Sequence, residues 1–330
     1  MGTTNQTQDA IAATGRYQLD PEIATALAPL AAAAVDAPVI ARGDWRALRE
    51  NANANLAFLA SLGAPIADEV QMQSLSIRDD DGAEIRARWY TRGDECPGAA
   101  VVYAHGGGMI AGNLDVYDGV IAEYVAATGV PFLSVDYRLA PEAPGPRPAE
   151  DVDAAVTWLR NQAAELGVSP ERIAIMGDSG GGGVAASAAI IARDRGIGLT
   201  RQILIYPMLD DRNLAGDTAR APFLSWTYDM NFTGWSARLG DQLGGEDVSP
   251  VTAPARLTDF RGLAPAYVEV GDLDIFRDEN IAYAQGLAAA EVPIELHVHP
   301  GAPHGFERFA PQSQLARRAM QDRLRVIQDL

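Results

Sequence analysis

The sequence predicts an α/β fold, a mostly parallel sheet with helices on both faces, joined to a helical cap. Three observations predict it. From residue 99 onward, short apolar runs alternate with helix-patterned stretches. That alternation builds βαβ units, whose crossovers cover both faces of a parallel sheet. Just before this series come two segments of alternating polarity, 71–79 and 83–92, separated by a turn. Finally, two stretches stand outside the rhythm: residues 1–65, read as the N-terminal helical part of a cap, and an insertion at about 208–260. Residues 66–330 then form the main domain that carries the insertion.

The elements follow in order. Asp20 is a good N-cap and Pro21 a good first residue for a helix over 20–34. Asp44 opens a second helix, and Gly63 ends it. The run "DDDG" at 79–82 reads as the hairpin turn between the alternating segments. The spacing of Asp79, Asp80 and Asp81 does not fit a calcium loop of the EF-hand kind. Strands are expected at 99–105, 130–136, 172–177, 201–207, 264–271 and 293–300, with helices at 148–167, 184–194 and 279–291. The insertion contains a short helix near 226–239. An insertion at the carboxyl end of a strand overhangs the crevice where open sheets bind ligands.

Composition narrows the function. The formal net charge is -18, which argues against nucleic acid and membrane partners by repulsion from phosphate. With 48% hydrophobic residues the chain can fill a large core. It has no lysine, so every basic side chain is arginine. A P-loop, a pyridoxal Schiff base and a Ser–Lys dyad are thereby excluded. Cys96 is the only cysteine, so neither a disulfide framework nor a cysteine zinc site is expected. The first 18 residues lack the basic and apolar regions of a secretory signal. The most apolar run, 28–41, is interrupted by Asp36 and two prolines. A cytoplasmic location is expected.

The chemistry lies in glycine-rich turns. "MGDSGGGGVAAS" (176–187) puts a run of poor helix formers where a helix should start. It contains G-x-S-x-G, from Gly177 to Gly181. In that motif a serine sits exposed on a sharp strand-to-helix turn that only small neighbours permit. Read alone, the run also fits a structural turn. A dinucleotide reading at Gly180, Gly182 and Ala185 lacks the acidic residue expected some 20 positions on. "HGGGMIAGN" (105–113) follows a strand and leaves backbone amides free to face a ligand, as in an oxyanion loop.

A base is needed, and there are four histidines. His105 belongs to the glycine loop, where its ring is expected to hold the loop by hydrogen bonds. His297 and His299 alternate on the last strand; no further ligand cluster accompanies them, so they read as ordinary strand residues, and no metal is expected. His304 follows the last strand, where a general base can reach the serine. The acid must lie between Ser179 and His304. "VEVGDLDIFRDE" (268–279) offers Asp272, Asp274 and Asp278, and the first two are both in range.

Together these residues resemble the hormone-sensitive-lipase family of carboxylesterases, bacterial family IV, which has the α/β-hydrolase fold. "HGGG", "DYRLAPE" (136–142), "GDSGGG", "DIFRDE" and "HGF" stand in the family's order. The resemblance runs from about Val70 to the C-terminus. It implies a catalytic triad of Ser179, Asp274 and His304, choosing Asp274 over Asp272. It implies an oxyanion hole from the amides of Gly107, Gly108 and Gly180. The family usually has alanine after the nucleophile, so Gly180 implies a more flexible turn. In "DYRLAPE", Arg138 is expected to pair with carboxylates.

The expected activity is hydrolysis of short- to medium-chain carboxylic esters through an acyl-enzyme, without cofactor, on a small-molecule ester. The family also implies a homodimer through the last strand. An amidase or peptidase on the same triad, or a non-catalytic small-molecule receptor on this fold, remain alternatives.

Overall fold

The computed structural model describes residues 17–33, 39–93 and 97–330. Cys96, Asp36 and nearly all of the N-terminal stretch examined for a signal lie outside the described residues. One sheet organises the chain. Its strands are β1 (Val70–Arg78), β2 (Glu84–Arg92), β3 (Ala100–Ala104), β4 (Phe132–Val135), β5 (Ile173–Asp178), β6 (Arg201–Ile205), β7 (Ala266–Gly271) and β8 (Ile294–His299). They lie in the order β1-β2-β4-β3-β5-β6-β7-β8.

The expected hairpin is β1–β2, in register from Val70 opposite Arg92 to Arg78 opposite Glu84. β2 is also antiparallel to β4, and all later pairs are parallel. The hairpin turn is held by charge. Arg138 bridges Asp79, Asp81 and Asp151 at 2.8, 2.8 and 2.6 Å, as the "DYRLAPE" reading expected. Every residue of β3, β5 and β7 is buried, which a strand achieves only when both faces of its sheet are covered.

The topology fixes where chemistry can occur. β3 lies between β4 and β5, so the order of the strands reverses there. A crevice opens outside the carboxyl ends of the strands at such a switch point. Ala104 is in register with Gly177, so the loop after β3 and the turn after β5 emerge side by side. Helix α5 (Ser179–Asp194) starts at that turn. Its glycines let it approach its neighbours closely: a Cβ on Gly183 would lie 2.1 Å from the carbonyl oxygen of Met208, beyond β6.

The N-terminal helices come back over this end. In α1 (Pro21–Ala33), Asp20 Oδ1 accepts hydrogen bonds from the amides of Glu22 and Ile23. Ile23 is fully buried among Ala302, Phe306, Leu315 and Ala319, which ties α1 to α8 (Phe306–Phe309) and α9 (Gln314–Gln328). In α2 (Trp45–Leu62), Asp44 caps the Ala47 amide at 3.1 Å. Gly63 follows it in an extended conformation rather than the left-handed one common at helix ends. The insertion forms α6 (Tyr228–Leu239), capped by Thr227 onto Met230. Between strands the chain also forms α3 (Leu114–Thr128), α4 (Arg147–Gln162) and α7 (Arg277–Ala289).

Arg49 fastens α2 to the rest. Its guanidinium donates to the carbonyls of Ile110 and Ala140, both at 2.6 Å, and forks onto Glu142 at 2.8 and 2.6 Å. Asn53 Oδ1 accepts the Gly112 amide at 2.9 Å. The helix is thus clamped to the glycine loop after β3.

Candidate active site

Ser179 is the first residue of α5 and has φ +54°. Left-handed backbone in a non-glycine residue costs about 1–3 kcal/mol and persists only where the surroundings enforce it. Here the sharp turn from β5 into α5 enforces it and presents the hydroxyl to the crevice. Gly180 sits immediately beneath the loop after β3. A Cβ there would meet the Met109 amide nitrogen at 2.6 Å and that of Gly108 at 2.8 Å. In this chain the loop packs so close to Gly180 that a side chain there would need the loop to shift.

His304 follows β8 and reaches both partners. Its Nε2 lies 2.8 Å from Ser179 Oγ, and its Nδ1 lies 2.6 Å from Asp274 Oδ2. Asp274 is fully buried, and its Oδ1 accepts the Phe276 amide at 3.0 Å. Tyr206 and Phe276 meet the imidazole edge-on, at 4.6 and 5.1 Å between ring centres. Burial works against the imidazolium, but the adjacent Asp274 charge and hydrogen bond outweigh it and hold the His304 pKa above its ordinary value.

Asp272, the competing candidate, instead accepts the Gly301 amide at 2.7 Å and braces the loop after β8. Asp278 pairs with Arg277 and Arg220. Two residues of sequence separate Asp272 from Asp274, and only Asp274 meets His304.

The loop after β3 is built to expose amides. Gly107 and Gly108 have φ +123° and +60°, open only to glycine without strain. Asp178 secures the loop from the turn beside it. Its Oδ1 accepts Tyr103 Oη at 2.8 Å and the Gly106 amide at 2.9 Å, and its Oδ2 accepts Tyr117 Oη at 2.7 Å. His105 contributes less hydrogen bonding than expected. Its Nδ1 pairs with the Gly106 carbonyl at 2.9 Å, and its ring stacks on Tyr137 at 4.5 Å. Burial lowers its pKa.

Ser179, His304, Gly107 and Gly108 share a cavity of about 130 Å³. Leu48, Asn51, Asn55 and Leu59 of α2 roof it, while Trp226, Met230 and Arg308 wall it. Of the insertion's aromatics, Trp226 and not Phe223, Tyr228, Phe232 or Trp235 lines it, and Phe223 and Trp235 are buried. The roof stripe and Arg308 were not anticipated from sequence. The stripe's spacing was readable; Arg308 gave no local signal.

His297 and His299 do not line this cavity. His297 Nε2 lies 2.7 Å from Glu295, and Glu295, His297 and Asp322 form a close group that sequence spacing does not reveal. Arg325 binds Glu295 and lies 3.5 Å from Asp322, which makes the group an ion-pair network. Among the described residues no helix is long and apolar enough to cross a membrane.

Comparison with known proteins agrees with this geometry. Residues 101–308 match the family model described by the alpha/beta hydrolase fold. The chain belongs to the α/β-hydrolases, in their hormone-sensitive-lipase group. It is similar to the esterase LipI of Mycobacterium tuberculosis, at 36% identity over 253 residues, 74% of this chain and 78% of that protein. It is similar to an ethyl acetate hydrolase of Pseudomonas putida, at 33% identity over 76% of this chain and 80% of the relative. Among solved structures a bacterial heroin esterase superposes with a TM-score of 0.82 at 34% identity, covering 94% of this chain and 97% of that one.

Proposed function

We propose that this α/β-hydrolase is a carboxylesterase in which Ser179 is the nucleophile, His304 the general base and Asp274 its orienting acid. The observation that carries the reading is the unbroken hydrogen-bond chain from Ser179 Oγ through His304 to buried Asp274. Ser179 Oγ attacks the acyl carbonyl as His304 Nε2 takes its proton. The imidazolium, stabilised by Asp274, then gives that proton to the leaving alcohol. Water attacks the acyl-enzyme by the same base, and the carboxylic acid leaves. The oxyanion is received by the amides of Gly107, Gly108 and Gly180. Positive φ at the two loop glycines and the helix N-terminus at Gly180 support that assignment. Every step is assigned to a group of this chain.

The substrate is a short acyl ester. A cavity of about 130 Å³ lined by α2 supports a bounded site for the acyl chain rather than an open lipid-binding face. Each methylene buried before that limit adds about 0.8 kcal/mol, close to fourfold in kcat/KM. The cap over the 66–330 catalytic domain is assigned to the described N-terminal residues 17–33 and 39–65 together with about 208–260, and α2, Trp226 and Met230 line the cavity from it. A homodimer is inferred at the β8 edge, where Leu296 and Val298 stay exposed.

A series of p-nitrophenyl esters from acetate to laurate tests the reading. The expected profile peaks at two to six carbons. Ser179→Ala should lose both turnover and covalent labelling by a fluorophosphonate while keeping its circular dichroism spectrum. Labelling of the variant at another serine, or best activity on laurate, would refute it.

A further inference from the structure

One charged group in the cavity has no part in that mechanism. Arg308 lies four residues after His304, on the short helix α8, and lines the same cavity as Ser179. Its side chain is only 14% exposed. A guanidinium carries five donors, and a buried one normally uses them on carboxylates or carbonyls. Arg308 does not. Among the described residues its one charged neighbour within 4 Å is Asp178, with Nη1 at 3.9 Å from Oδ2, beyond hydrogen-bond reach. Asp178 is already occupied by Tyr103, Tyr117 and the Gly106 amide at 2.7–2.9 Å. The guanidinium instead rests on the face of Tyr117, 4.6 Å from the ring centre, a contact that positions it without consuming donors. Arg308 and Asp178 both line the cavity of Ser179, so the unspent fork belongs to the nucleophile's cavity.

We propose that Arg308 is a specificity-determining residue that binds a carboxylate carried by the substrate, so that the preferred esters are anionic: half-esters of dicarboxylic acids or O-acyl hydroxy acids. The planar fork matches a carboxylate bidentately, and partial burial of the guanidinium strengthens such a pair. The net charge of -18 and the Asp178 carboxylate in the same lining oppose an anion, so the pairing must come from direct contact with the fork and not from long-range attraction. The carboxylate belongs either to the acyl part or to the alcohol part, and the two sources share the same chemistry at Arg308. This inference rests on the ester-hydrolase reading above and names the substrate class of that site.

Two substrate pairs test it with the full-length enzyme. Monomethyl succinate is compared with methyl succinamate, and O-acetylglycolate with O-acetylglycolamide; each amide is a neutral isostere of the carboxylate. The readout is the kcat/KM ratio of anion to amide, in wild type and in Arg308→Gln, so intrinsic ester reactivity cancels. A charge-assisted hydrogen bond lost in a buried site should lower that ratio about tenfold to hundredfold for one pair, and the responding pair tells which part carries the carboxylate. Arg308→Lys keeps the charge without the fork and should fall between the two. In wild type alone, succinate should inhibit p-nitrophenyl acetate hydrolysis competitively at least tenfold better than succinamide. This arm stands even where Arg308→Gln misfolds. Ratios equal within twofold in both pairs, or no preference for succinate, overturn the proposal. An enzyme that labels with fluorophosphonate and cleaves p-nitrophenyl acetate but fails these arms loses only the Arg308 assignment. One that neither labels nor cleaves loses the esterase reading as well.

Discussion

Replacing Gly180 by alanine should damage catalysis more than stability, because the new methyl strikes the oxyanion loop. Its Cβ would stand 2.6 Å from the Met109 nitrogen and 2.8 Å from the Gly108 nitrogen. Ordinary contact begins at 3.4 Å, so these amides must back away by roughly 0.6–0.8 Å. A displacement approaching 1 Å at a positioned group costs on the order of 10²-fold, and outright loss of one oxyanion donor costs about 10²–10³. The expected fall in kcat is therefore about tenfold to hundredfold, with KM changed much less. On stability, overpacking costs about 1–3 kcal/mol and the gain in helix propensity returns close to 1 kcal/mol. The loss in stability should stay below about 2 kcal/mol. Gly183→Ala is the control. Its methyl would lie 2.1 Å from the Met208 carbonyl oxygen and only at ordinary contact, 3.4 Å, from Met109 Cε, so the strain falls on Met208 rather than on the loop amides. It should lower Tm more than Gly180→Ala does and kcat less. Steady-state kinetics on p-nitrophenyl acetate and a thermal melt of each variant decide the matter. Gly180→Ala with kcat within twofold of wild type would show that the loop moves freely and that the contact argument is wrong.

Four further outcomes are expected. The Asp274 charge raises the His304 pKa and only neutral imidazole accepts the serine proton, so the acid limb of kcat/KM should lie above the ordinary imidazole value of about 6.5. Stability linked to His304 protonation runs the other way, complete below that value and lost as pH rises through the raised one. Asp274→Asn removes the strongest opposition to burial and leaves the weaker pull of Glu307 and Asp178: the limb should move to lower pH while the rate falls about 10⁴-fold, and Asp272→Asn should cost far less; the reverse ranking would refute the assignment. Arg49→Met removes two hydrogen bonds to carbonyls and the exposed fork onto Glu142, and should destabilise the protein by about 1.5–3 kcal/mol and flatten the acyl-length profile; an unchanged profile would show that α2 is not the roof. Leu296→Glu on the β8 edge should convert a dimer to a monomer in light scattering, and a monomeric wild type would refute the interface.

The fold was legible because its signals are local. Apolar runs between helix patterns gave the strands, and Asp20 and Asp44 marked their helices. Ser179, His304 and the glycine loop were legible as candidates because each occupies a short motif at the end of a strand. What was hidden depends on approach between distant segments. Spacing left Asp272 and Asp274 both in range and the family resemblance chose Asp274; they differ in place because the loop after β7 turns one toward His304 and the other toward Gly301. Gly180 read as a loosened turn because nothing near it in sequence shows that residues 108 and 109 press on it. Arg49 meets partners 61 to 93 positions away, and no local pattern announces such a clamp.

The roof of the cavity has a practical consequence. Leu48, Asn51, Asn55 and Leu59 recur at three- and four-residue steps along one face of a single helix, whose other attachments, Arg49 and Asn53, hold it in place. None of these roof positions is part of the Ser179–His304–Asp274 chain. Leu48 packs against Ile110 and Ala111 of the glycine loop and is best kept. A small combinatorial library over Asn51, Asn55 and Leu59 would reshape the roof of the cavity without replacing any member of that hydrogen-bonded chain.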